Sequence, residues 1–183
     1  MNKITSTALL LICALPVAAF AQQPSTSNFG PSAGDREFSI SGTGSSDRDF
    51  KMGSFGITGD YGWYQSDQTV WGIRQSVNYA NIRGESLRDD FWNGSTRGYG
   101  NYHFSTGPTR PFVGGSLGFI YGDGVKNSGF AGLETGLKHY LNSTTYFLGR
   151  VEYQFFFSKE RREFDDSFKD GAWAYTLGLG YNF

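Results

Sequence analysis

From about residue 36 to the C-terminus, apolar side chains tend to fall on every second position. The last stretch shows it best, with Trp173, Tyr175, Leu177, Leu179, Tyr181 and Phe183 all at odd numbers. A period of two belongs to a strand, because successive side chains leave opposite faces of the pleat. The pattern recurs at Phe55, Ile57, Tyr61 and Trp63, at Trp71, Ile73, Val77 and Tyr79, and at Val113, Leu117, Phe119 and Tyr121. It returns at Leu133, Leu137 and Leu141, then at Phe147, Val151, Tyr153, Phe155 and Phe157. Weaker versions cover 36–45, with Phe38 and Ile40, and 95–104, with Tyr102 and Phe104. The pattern predicts eight strands and no helix of useful length.

The connections alternate in character. Short turns are expected at 65–68, 105–110 and 142–144, and longer, heavily charged loops at 82–94 and 158–171. Connections of intermediate length fall at 47–53 and 122–129. Short turns at one end and longer loops at the other suit an up-and-down barrel with both termini on the turn side. The fold class expected is all-β, an eight-stranded antiparallel transmembrane barrel.

Alternation alone also fits a soluble ligand-binding barrel, so the second face decides. A wall turned to water would carry many Lys and Glu. This face is mostly small: Ser39, Ser41, Gly72, Ser76, Asn78, Gly114, Ser116, Gly118, Gly132, Gly136, Thr176, Gly178 and Gly180. Eight strands enclose a space only wide enough for side chains to fill, so few bulky groups are expected inside. Strands of ten to twelve residues, tilted about 40°, would cover roughly 25 to 30 Å, the height of a membrane's apolar band.

Composition sharpens this picture. The chain has 26 Gly and is 17% aromatic but only 38% hydrophobic, which suits strands that are apolar on one face. Aromatic residues then belong in girdles at the two membrane interfaces. Residues 1–21 read as a cleaved signal peptide, with Lys3, an apolar run from Ala8 to Phe20, and the cleavage pattern Ala19-Phe20-Ala21. Residues 22–35 read as a flexible periplasmic lead-in and 36–183 as the barrel. The single cysteine, Cys13, lies in the leader behind Ile12, so neither acylation nor a disulfide is expected. Without Lys3, fifteen basic residues face seventeen acidic ones, which gives no nucleic-acid footprint.

Charges remain on the small-residue face, and they balance. Glu37, Asp60, Glu134 and Glu152 share it with Arg74, Arg97, Lys138 and Arg150. Ions in a narrow lumen are costly unless paired, so this balance points to internal salt bridges and a plugged interior. Glu37 and Arg97 fit a barrel mouth equally well. A turn at Asn142 and Ser143 sets Glu134 opposite 150–152, so Glu134 is expected to bridge Arg150, with Lys138, Glu152, Arg74 and Asp60 in the same network.

The ending AYTLGLGYNF, with Tyr175, Leu177, Leu179, Tyr181 and Phe183 on one face, resembles the insertion signal of bacterial outer-membrane proteins. The chain from 36 to 183 resembles the small barrel family that includes the transmembrane domain of outer-membrane protein A and related surface antigens. The segments RPFVGGSLGFIYGDG and GLETGLKHYLNSTTYFLGRVEYQFFF are similar to that family's central hairpins. The resemblance implies an outer-membrane location, periplasmic chaperones, the outer-membrane insertion machinery, and contact with outer-membrane lipids and lipopolysaccharide. A monomer is expected.

Catalytic chemistry is scarce. Lipid A deacylases on similar barrels use a His-x-Ser pair, and His103-Phe104-Ser105 matches its spacing. That pair sits where a strand runs into a turn, with His103 on the inward parity, so no catalytic role is assigned. His139, beside Leu137 and Leu141, reads as an interfacial side chain without metal-ligand spacing. Asp165, Asp166 and Asp170 lack the ligand ladder of a calcium loop. No cofactor or metal is expected. The expectation is a non-enzymatic structural or surface-interaction barrel; the alternatives are a lipid-modifying enzyme and a narrow channel.

Overall fold

The computed structural model describes residues 29–47, 53–84, 87–122, 127–157 and 171–183. Within them lie eight strands: β1 (Arg36–Asp47), β2 (Gly53–Ser66), β3 (Thr69–Gly84), β4 (Leu87–His103), β5 (Thr109–Gly122), β6 (Ser128–Tyr140), β7 (Thr145–Phe156) and β8 (Ala172–Asn182). Each pairs antiparallel with its sequence neighbour, and β1 pairs with β8, which closes the barrel. Closure removes the unpaired sheet edges that a hydrocarbon surroundings could not satisfy. The expected fold class is the observed one. Residues 1–28, which hold the expected leader, and 158–170, where a charged loop is expected, fall outside the described residues.

Local chemistry fixes the short turns. Asn142 Oδ1 accepts hydrogen bonds from the backbone N–H of Thr144 and Thr145, at 2.9 and 2.7 Å. Ser66 Oγ accepts from the N–H of Thr69 at 3.0 Å. Such side chains reproduce a turn's backbone bonds where the ladder ends. Both described chain ends and these turns share one rim, here the turn end; the other rim is the loop end.

The charged connection expected at 82–94 is different in the structure. The β3–β4 ladder runs on through Ile82↔Asp89 and Arg83↔Arg88 to Gly84↔Leu87. Charges there break the apolar alternation, but backbone pairing itself needs no alternation of side chains. The hydrophobic pattern marks where the wall meets an apolar surrounding, and the hydrogen-bond ladder outlasts it.

The wall is apolar outside and polar inside. Leu177 is 76% exposed and Phe119 69%, while Arg74 is 0% and Glu152 1%. Outward rings gather toward the rims. Trp63 stacks on Trp71 at 4.8 Å near the turn end, and Tyr79 meets Trp92 at 5.4 Å nearer the loop end.

The interior is not reserved for small groups. Tyr64, Tyr99, Tyr140, Tyr146, Phe112 and Phe130 are all buried beside the charges. Inward glycines make this possible. A Cβ on Gly180 would lie 2.2 Å from the Tyr146 ring, one on Gly136 2.6 Å from Phe112, and one on Gly72 2.8 Å from Tyr99. The small residues on this face leave room for large partners across the lumen.

Candidate functional site

The polar interior is the candidate site, and it is layered. At the turn end, β1 places Glu37 under the barrel, where its carboxylate gathers donors from four other strands. Lys138 on β6 donates to Oε2 at 2.5 Å, Tyr64 on β2 at 2.8 Å and Tyr146 on β7 at 3.0 Å; Tyr99 on β4 donates to Oε1 at 3.2 Å. The Lys138 ammonium also lies over the Tyr146 ring, 4.8 Å from its centroid. Three phenols and an ammonium replace the water that an isolated carboxylate would require.

The middle layer is a chain of four charges. Arg74 Nε donates to Asp60 Oδ1 at 2.9 Å, and its Nη1 and Nη2 form a fork on Glu134 at 2.6 and 3.1 Å. Arg150 Nη1 donates to the other oxygen of Asp60 at 2.7 Å. Toward the loop end, Glu152 accepts from Ser116 at 2.5 Å and Gln154 at 3.1 Å, and pairs with Arg97 at 3.3 Å. Thr58 links Thr43 and Ser76 through hydroxyl contacts of 2.8 Å each.

This wiring corrects the expected pairing. Glu134 bonds Arg74, not Arg150, and Arg150 bonds Asp60. The β6–β7 register places Glu134 opposite Glu152 and Arg150 opposite Gly136. Most of the bridges are chords between strands three apart around the ring, namely β3 to β6, β2 to β7, β4 to β7 and β1 to β6. A hairpin register orders neighbours and says little about chords. Glu37 and Arg97 are buried, each 3% exposed, rather than open to water at the rims.

The turn end holds features that the alternation does not announce. Residues 29–35, expected to belong to a flexible lead-in, cross the mouth. Gly30 N–H donates to Ser143 O at 2.9 Å, Gly34 N–H to Tyr64 O at 2.8 Å, and Ala33 N–H to Asp67 Oδ1 at 3.2 Å. Phe29 packs on the buried cluster of Phe112, Tyr140, Tyr146 and Leu148. Arg110 binds this crossing to the turns by donating to the carbonyls of Phe29, Thr106, Gly107 and Asp67. Gly30 has φ +77 and lies against the Arg110 guanidinium, where a Cβ would overlap it at 2.5 Å. The inward parity of Tyr64, Tyr99 and Tyr146 was a readable sign of the Glu37 cluster; Phe29 and Arg110 lie outside any alternating run.

The other sequence candidates are placed as follows. His103 is buried with Nδ1 3.2 Å from Gln68 O, whereas Ser105 Oγ accepts from the Gly107 N–H at 3.1 Å. The two side chains thus have separate partners. His139 is exposed and its Nδ1 lies 2.9 Å from Thr109 Oγ1. Asp165, Asp166 and Asp170 fall outside the described residues. Tyr175, Leu177, Leu179, Tyr181 and Phe183 all face outward along and just beyond β8.

No family model matches the sequence, and no curated protein matches it. Solved structures do match. The outer membrane protein OprG from Pseudomonas aeruginosa aligns with a TM-score of 0.59 at 14% identity, over 84% of this chain and 98% of that one. Neisserial surface protein A aligns at 0.56 and 15% identity, over 81% and 94%. The N-terminal β-barrel domain of Pseudomonas aeruginosa OprF aligns at 0.51 and 20% identity, over 80% and 97%. At these identities the likeness is one of fold. The chain has the fold of the small eight-stranded β-barrels of the bacterial outer membrane.

Proposed function

We propose that this protein is an exported, non-enzymatic outer-membrane barrel that acts as a structural or surface-interaction element through its loop end. In this reading the leader ends at Ala21, the turn end faces the periplasm, and the outward residues Tyr175 to Phe183 carry the insertion signal. The chain stands in the membrane as a monomer among outer-membrane lipids and lipopolysaccharide. Periplasmic chaperones and the outer-membrane insertion machinery deliver it there.

One observation carries this reading: the lumen is crossed by charge-paired chords at successive levels, each charge buried and held by named partners. A conducting path needs mobile water and ions along its length, and side chains bridged across the lumen at these levels argue against one. The separate partners of His103 and Ser105 also favour a non-enzymatic role over a deacylase-like one. A Neisserial barrel of this fold is named a surface protein, which agrees with a role at the loop end.

The test uses the refolded mature protein in two assays. In planar bilayers it is expected to give no steady conductance, and steady single-channel steps would overturn the closed lumen. Incubated with lipopolysaccharide, it is expected to leave the acyl pattern of lipid A unchanged by mass spectrometry. A lost or added acyl chain would overturn the non-enzymatic reading.

A further inference from the structure

The arginines buried in the lumen are not equally satisfied. Arg74 spends its Nε–H on Asp60, and Arg110 spends its own on the Gly107 carbonyl. Arg97 and Arg150 are buried as well, yet neither Nε–H has a hydrogen-bond partner among the described residues. A buried donor without an acceptor is costly, and more so on a charged group.

Both of these arginines lie at the ends of one arc of hydroxyls. Arg150 Nη2 donates to Thr176 Oγ1 at 3.4 Å, and Thr176 meets Thr43 at 3.4 Å. Thr43 meets Thr58 and Thr58 meets Ser76 at 2.8 Å each, and Arg97 Nη2 donates to Ser76 Oγ at 3.4 Å. The arc follows β7, β8, β1, β2, β3 and β4 around the wall, and the Arg97–Glu152 pair returns across the lumen to β7. These contacts form a closed circuit, with short hydroxyl side chains along one side and a guanidinium at each end of them.

A count of protons shows what the circuit lacks. Four hydroxyls bring four protons, and their three mutual contacts use three. Both guanidinium contacts bring protons in and take none out. One hydroxyl proton and the two Nε–H groups are left over, and Ser41, the register partner of Thr58, adds a hydroxyl without a partner. The carboxylates of the lumen are already engaged: Asp60 by Arg74 and Arg150, Glu134 by Arg74, and Glu152 by Ser116, Gln154 and Arg97.

Charge points the same way. The register partner of Arg97 on β3 is Arg74, a like charge. Among the described residues the buried interior holds five cations against four carboxylates, and the Arg110 guanidinium is answered only by backbone carbonyls. Water could accept the spare protons, but it would leave that charge uncompensated.

We propose that the lumen at this level binds one small monovalent anion of the halide class, held by the Nε–H groups of Arg97 and Arg150 and by hydroxyls of the arc. Entry is from the loop end, where Ser45, Gly56 and Ala174 continue the same strands with short side chains, whereas Tyr64, Tyr99 and Tyr146 lie toward the turn end. The site goes beyond the loop-end role proposed above and does not depend on it.

The test uses the refolded, isotope-labelled mature protein in detergent micelles, with chloride replacing gluconate stepwise at constant ionic strength. Arginine Nε–H signals are followed by NMR and assigned with Arg97→Lys and Arg150→Lys, which keep the charge and remove the Nε–H. In the wild type the Arg97 and Arg150 signals should move together along one saturable curve, and bromide should act as chloride does. The Arg74 signal, already committed to Asp60, should stay in place and report the fold. Either variant should weaken the chloride midpoint at the remaining arginine about tenfold, the worth of one hydrogen bond to a charged group. The wild-type titration decides by itself if a variant does not fold. Signals that ignore chloride, that respond equally to gluconate, or that drift without saturating would overturn the site and leave water as the partner of both groups. An unchanged midpoint in both folded variants would overturn it too.

Discussion

The two ends of the lumen solve the same problem with different materials. Near the turn end, Glu37 is held by an ammonium and three phenols from four strands, and the mouth beneath it is crossed by residues 29–35. Toward the loop end, Glu152 is held by one guanidinium at 3.3 Å and by the short side chains of Ser116 and Gln154. Arg97 Nε is buried with no hydrogen-bond partner among the described residues. Rigid rings with a polar tip fix both the position and the solvation of a charge. Flexible donors solvate it without fixing it, so the turn end is the tighter joint and the loop end the more adaptable one.

The largest expected effect follows from the tight end. Glu37→Gln leaves the Lys138 ammonium buried without its counter-charge, and should cost about 3 to 5 kcal/mol in urea unfolding from lipid vesicles. Adding Lys138→Met should recover much of that loss. An additive double mutant would break the claim that the two ends differ by how completely a pair is enclosed.

A smaller loss, about 2 kcal/mol, is expected for Glu152→Gln, because the new amide oxygen still accepts from Ser116 while Arg97 loses its longer ion pair. A loss equal to that of Glu37→Gln would erase the comparison. The smallest effect belongs to Tyr146→Phe, about 1.5 kcal/mol, since Glu37 keeps three of its donors. It sharpens the comparison by asking whether the phenols stabilise Glu37 individually; an unchanged urea midpoint would show that Glu37 does not need the Tyr146 hydroxyl.

What the sequence makes legible follows from local geometry. Parity along each strand separates Leu177 and Leu179 from Thr176 and assigns Glu37, Asp60, Glu134, Glu152, Arg74, Arg97, Lys138 and Arg150 to the inward face, because the period of a strand is fixed by its own backbone. Length of ladder is less visible. Arg83, Arg88 and Asp89 look like loop residues, yet their backbones pair, because a hydrogen-bond ladder needs no alternation of side chains. Partners across the lumen are not visible at all. Arg74 and Glu134 are sixty residues apart and meet through the tilt and closure of the whole barrel. The outward side chains of Gln75, Thr96 and Tyr121, joined by hydrogen bonds of 2.5 to 3.0 Å, are an intermediate case: all three fall on the outward parity, where any polar residue is conspicuous, but only the registers of β3, β4 and β5 bring them together.

The pairing of β1 with β8 differs from every other joint in one respect that bears on assembly. Seven joints link strands adjacent in sequence, so each can zip as a hairpin with a short chain to close. The eighth brings Arg36 to Phe183, whose backbones exchange hydrogen bonds of 2.8 and 2.9 Å at the turn end. Its loop is nearly the entire barrel, and the entropy of closing it must be met before its contacts form. Ring closure is then expected to be the slow kinetic step, with the hydrogen bonds of Gly30 to Ser143 and of Gly34 to Tyr64 lying across the same end of the barrel. A circular permutant cut in the turn at Asn142, with the old ends joined, would convert that seam into an ordinary hairpin and move the slow step to the β6–β7 joint.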